Sequence, residues 1–147
     1  MSGALYNIEI LRLATAIPHL GVLDCPQARV EKRSLICGSR VSVDVVLGED
    51  GNVMDFAQSV NACALGQASA ALLGAHVIGR SVDELREASA ALAGYLSGTR
   101  DDYGDWPGLG IFAAGRAHSA RHASIRLPFD AATEAVAKAL AARAMVA

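Results

Sequence analysis

Apolar and polar positions change their period several times along the chain, and each change marks an element. From Tyr6 the residues Ile10, Leu11, Ala14 and Ile17 recur at helical spacing until Pro18 and Gly21 stop the pattern, which predicts a short N-terminal helix. Leu23 to Ile36 is mixed in polarity, with Cys25-Pro26 and the charged run Glu31-Lys32-Arg33, and reads as a loop leading into an edge strand. Val41, Val43, Val45 and Leu47 then alternate with Arg40, Ser42 and Asp44, the period of a half-buried strand, with Val46 as the one intruder. Gly48-Glu49-Asp50-Gly51-Asn52 supplies turn residues, and Val53 to Val60 resumes β-prone sequence, so the pair predicts a β-hairpin.

Beyond Cys63 the period becomes helical. Ala64 to Ile78 is rich in Ala, Leu and Gly, and its small residues suit close packing on a sheet; Gly79 ends it. Ser81-Val82-Asp83-Glu84 matches a capping box, which predicts a second helix running to about Leu96. Ser97 to Gly110 is dominated by Gly, Asp and Pro and reads as a surface loop, Ile111 to Ala117 as a short helix, and Pro128 through Val146 as a last helix. The expected fold is α+β: a small antiparallel sheet around the hairpin, packed against several helices. At 147 residues and 52% hydrophobic content, residues 1–147 suffice for one domain with one core.

Charge and composition narrow the function classes. A net charge of -2 gives no general attraction to nucleic-acid phosphates, and basic residues are not interleaved with aromatics as on a nucleic-acid platform. Charges such as Arg12, Asp44, Asp83 and Arg86 interrupt the apolar stretches, so no membrane span is expected, and no basic segment followed by an apolar run opens the chain. With only three cysteines, a reducing cytoplasmic setting and free thiols or thiolate ligands are expected in place of a disulfide framework.

Those cysteines carry the candidate chemistry. A symmetric hairpin centred near Asp50 sets Cys37 opposite Cys63 at its open end, with thiols on the order of 5 Å apart, close enough to share a metal ion or cluster. Cys63 directly precedes a predicted helix, whose partial positive charge and free amides favour a thiolate there. A buried thiol pair is the plain alternative. His118 and His122 have the spacing of metal-binding pairs on a helical turn, and Cys25 is a further thiol that could add a ligand from the preceding loop. Ser39 and Ser124 lack the His and Asp pattern of a hydrolase triad and equally suit backbone capping.

Cys37-Gly38-Ser39, the hairpin after it, Asn61-Ala62-Cys63 and the small-residue helix ending in Gly79-Arg80-Ser81-Val82-Asp83-Glu84 together resemble the IscU/SufU/NifU-like iron-sulfur cluster assembly scaffold family. That resemblance implies the SufE/NifU-like fold and covers nearly the whole chain. Arg121-His122-Ala123-Ser124-Ile125 looks like the family's third motif, with Ala123 in the place of the third cysteine and His122 in that of an occasional metal-binding histidine. Ser39 stands where the family has an aspartate. The segment between Cys63 and Ala123, with its Asp101 to Gly110 loop, is similar to the insertion of the SufU-type branch. The Leu-Pro-Pro-Val-Lys segment by which IscU-type proteins engage a dedicated chaperone is absent, so the resemblance implies no such partnership.

The function implied is that of a scaffold or carrier, more a binding protein than an enzyme. It would hold iron or a nascent iron-sulfur cluster through Cys37, Cys63 and His122, receive sulfur from a cysteine desulfurase and serve apo iron-sulfur proteins. Two alternatives stay open: a zinc-binding or metal-free adaptor of the same fold, for which Ser39 and Ala123 argue, and a thiol sulfurtransferase carrying persulfide on a cysteine.

Overall fold

The computed structural model describes residues 7–36 and 38–146, so Cys37 lies outside the described residues. Four α-helices, a 3-10 segment and three strands are described: α1 (Ile8–Ala14), β1 (Ala28–Arg33), β2 (Arg40–Leu47), β3 (Val53–Asn61), α2 (Ala64–His76), α3 (Val82–Ser97), the 3-10 segment (Leu109–Ala117) and α4 (Ser119–Val146). The strands form one antiparallel sheet in the order β1-β2-β3, with β1 at an edge as its charged run anticipates. Helices cover one face of the sheet. Val41, Val43, Val45 and Leu47 point into that interface with Phe56, Leu65, Leu73, Ile125 and Phe129, all buried, and this is the core that fixes α2 and α4 against the hairpin.

The hairpin forms as its alternation predicts, but its register is not symmetric. Leu47 lies opposite Val53 while Val46 lies opposite Asp55, so Met54 is an extra residue and the ladder shifts there by one. The bulge lets Val53 and Phe56, three residues apart on β3, both be buried, while Val46 takes the outer face of a regular β2. As a result the ladder ends with Arg40 opposite Asn61, and Cys63 stands beyond it, displaced by one step from the place a symmetric hairpin would give it.

The capping box is present: the Ser81 hydroxyl accepts from the Glu84 amide at 3.1 Å, and the Glu84 carboxylate accepts from the Ser81 amide at 3.1 Å. Gly98, in the left-handed region with φ 85°, ends α3 close to the expected boundary. The last helix departs from expectation, since α4 begins at Ser119 and carries Pro128 inside it. Proline reads as a helix start because it lacks an N–H, and in an interior position it removes one helical hydrogen bond. Here burial of Ile125, Leu127 and Phe129 around it offsets that loss. The 3-10 segment also starts two residues before the expected Ile111.

On the opposite sheet face, Asp44 is buried beside its cross-strand partner Ala57. Arg29 donates to it through Nε at 2.6 Å and Nη2 at 2.9 Å, and the Leu23 amide donates at 2.9 Å, tying the loop before β1 to β2. The Arg29 hydrogen bonds hold the Asp44 carboxyl below its ordinary range, with the Leu23 amide adding to the effect against the opposing push of burial. Because the folded carboxyl is the stronger acid, this pair's contribution is complete above the unfolded value near pH 4 and is lost as pH falls through the folded one. Urea unfolding of Asp44→Asn is expected to show less loss of stability on acidification below about pH 4 than the wild type; matching acid limbs would show that the pair does not act this way.

Candidate functional site

Cys63 is the N-cap of α2, with extended backbone at φ -66° and ψ 171°, and its side chain makes no hydrogen bond to the helix amides. The thiol therefore turns away from the helix it caps. It meets Ser124 of α4, whose Oγ lies 3.2 Å from Cys63 Sγ, and Ser124 Oγ in turn lies 3.1 Å from Ser39 Oγ. Three elements thus converge on one point: the turn before β2, the start of α2 and the second turn of α4. Ser39 is 2% exposed and Ser124 0%, whereas Cys63 is partly buried and packs against the core, so the two hydroxyls lie deeper than the cysteine.

Small residues make this convergence sterically possible. A Cβ on Gly66 would lie 2.6 Å from Ser124 Oγ, 2.8 Å from Ala62 Cβ and 3.2 Å from the Ser124 carbonyl oxygen. One turn on, the Ser69 hydroxyl donates to the Ile125 carbonyl. Pro128 acts from the other side: it lacks the N–H that would otherwise bond the Ser124 carbonyl, four residues earlier in the helix. The turn containing Ser39 is held by the Ser34 amide donating to the Ser39 carbonyl at 2.8 Å and the Gly38 amide donating to the Ser34 carbonyl at 2.9 Å. That turn carries Leu35 and Ile36 on the surface, 98% and 74% exposed.

The other sequence candidates fall elsewhere or are engaged. Cys25 is exposed and lies at the far end of the sheet, since Gln27 pairs with Val45 and Leu47 of β2 while Cys63 lies past Arg40. His118 is exposed at the C-terminus of the 3-10 segment, before α4 rather than on it. His122 Nε2 lies 2.9 Å from the Gly115 carbonyl and 3.1 Å from that of Arg116, so this nitrogen donates to the end of the 3-10 segment and is not a free lone pair. Ala123 precedes the residue that reaches the thiol; the α4 side chain facing Cys63 is Ser124. Among the described residues, no three His, Cys, Asp or Glu side chains come together as a metal site.

The sequence did contain a signal for Ser124. Ile125, Phe129, Ala132, Val136 and Ala139 keep one helical period straight through Pro128, and all are buried, which carries the helix back to the serine. Reading Pro128 as the first residue of the helix hid that continuity.

A family model described as the NifU-like N-terminal domain matches residues 5–105. This chain belongs to that family. The NifU-like chain is also similar over nearly its whole length to solved structures. A nitrogen-fixing NifU-like protein (N-terminal) from Brucella abortus is 36% identical, with 93% of this chain and 95% of that one covered and a TM-score of 0.82. A candidate iron-sulfur cluster assembly scaffold protein for the SUF system from thermophilic Fervidobacterium islandicum AW-1 is 19% identical, with 90% and 96% covered and a TM-score of 0.82, and shows the shared fold. No curated protein matches the chain. The α+β architecture expected from the hairpin and helices is that of these NifU-like neighbours.

Gly66→Ala is expected to push Ser124 away from Cys63 and lower stability by about 1–3 kcal/mol, the usual scale of overpacking in a dense interior. Urea unfolding measures the cost; an unchanged midpoint would mean that the two helices are not in close contact there.

Proposed function

We propose that this NifU-like chain is a scaffold that carries iron or a nascent iron-sulfur cluster on Cys63 together with Cys37. The observation that carries this reading is the partly buried Cys63 thiol at the start of α2, against the Ser124 hydroxyl that Ser39 also meets, in a member of the family. Thiolates are the soft donors that iron and sulfide chemistry selects. Ser39 and Ser124 as neutral hydroxyls are weak iron ligands, so they serve the thiol, and the second strong donor is Cys37. His122 would join through Nδ1 while Nε2 keeps donating to the Gly115 and Arg116 carbonyls, the way a ligating imidazole is usually oriented by its other nitrogen.

The cargo is held at a half-buried sulfur on the rim, which suits a protein that receives and surrenders what it binds. A cysteine desulfurase is the sulfur source this role calls for, and apo iron-sulfur proteins are the acceptors. Among the described residues no helix is long and apolar enough to cross a membrane.

The oxygen-rich backing of Cys63 also favours a second reading, that of a sulfur carrier. In that step the Cys63 thiolate attacks the terminal sulfur of a donor persulfide, and the donor's S–S bond breaks with its electron pair leaving on the donor cysteine. Sulfur is transferred without net oxidation. A zinc-loaded adaptor is distinguished by metal content alone.

The test is anaerobic purification followed by measurement of iron, sulfide and zinc per chain in wild type, Cys37→Ala and Cys63→Ala. Iron and sulfide are expected on wild type and should fall to background in both variants. Retention of both in both variants overturns the ligand assignment, and zinc with no capacity for iron and sulfide overturns the scaffold reading.

A further inference from the structure

We propose that Ser124 is a positioning residue for Cys63, its hydroxyl holding the sulfur as the middle member of a hydrogen-bond chain that begins at Ser39. The inference rests on the reading of Cys63 as the cargo-bearing thiol. Its geometric basis is the 3.2 Å separation of Cys63 Sγ from Ser124 Oγ and the 3.1 Å separation of Ser124 Oγ from Ser39 Oγ.

Direction follows from chemistry. A thiolate has no proton and can only accept, so once Cys63 ionises Ser124 must donate to it. A hydroxyl that donates its single proton in this way still has lone pairs, and the Ser39 hydroxyl is placed to donate to them. The chain then runs one way, from Ser39 to Ser124 to Cys63. When the sulfur is protonated the same two hydroxyls can turn about their C–O bonds and accept, with no heavy atom moving. Serine therefore supports sulfur in either state, which an alanine methyl or a carboxylate cannot do.

Both hydroxyls are shut away from water, so each depends on its protein neighbours and neither is free to rotate toward solvent. The absence of a side chain on Gly66 leaves the space that Ser124 Oγ fills, and this keeps the hydroxyl on the Cys63 side of α4. The site thus has an oxygen support on its buried side.

Alkylation by iodoacetamide at pH 7, followed peptide by peptide by mass spectrometry, tests the role without any cargo. Ser124→Ala is expected to slow reaction at Cys63 by about tenfold, the lower end of the scale of one hydrogen bond to a charged group, and Ser39→Ala to slow it by less. Cys25, exposed and at the far end of the sheet, serves as internal control and should react at the same rate in every variant. A purely structural contribution would act in the opposite sense, because loosening α4 uncovers a half-buried thiol and speeds its alkylation. An unchanged or faster rate at Cys63 in Ser124→Ala overturns the proposal. If Ser124→Ala slows alkylation but wild type fails to load iron and sulfide, Ser124 keeps its role and the scaffold reading falls.

Discussion

At Gly66 the backbones of α2 and α4 approach so closely that no side chain fits between them, and the rest of the site follows from that constraint. Close approach brings the Ser124 hydroxyl over the start of α2, where Cys63 is the capping residue. It also sets the depth of Ser39, whose turn before β2 must reach the same hydroxyl. A larger residue at 66 would separate the helices and leave buried hydroxyls without the partners that their burial requires. The packing of small residues and the chemistry of the site are therefore the same fact seen at two scales.

The sheet supplies the second coordinate. Its bulge at Met54 lets both Val53 and Phe56 of β3 be buried against the inward row of β2, and it slides β3 by one residue relative to β2. Cys63 inherits that slide. Midway along β2, the Arg29–Asp44 pair anchors the loop containing Cys25, which keeps that thiol away from Cys63.

What was legible in the sequence was whatever depended on local period or local chemistry. The alternation from Val41 to Leu47, the turn at Gly48 to Asn52 and the Ser81–Glu84 capping box each specify their element through neighbouring residues, and each is present. The resemblance carried by Cys37-Gly38-Ser39 and Asn61-Ala62-Cys63 led to the right family. Two things escaped because they depend on contacts between distant segments. One is the α4 residue facing Cys63, which only the packing of Ser124 against Gly66 decides. The other is the pair of bonds from His122 Nε2 to the open carbonyls at the end of the 3-10 segment, which spacing along the chain does not reveal.

Pro128 gives α4 two sections with different attachments. Downstream, Ala131, Ala132, Ala135, Val136 and Ala139 sink fully into the core, while upstream the helix is pinned by fewer residues, chiefly Ile125 and the Ser69 bond to its carbonyl. Cooperativity along a helix passes through its ladder of amide bonds, and proline removes one rung at the junction. Fraying that begins at Ser119 is thus uncoupled from the C-terminal section, in the manner of a separately opening unit. Opening of the section before Pro128 would therefore leave the core packed on Ala131 to Ala139 in place.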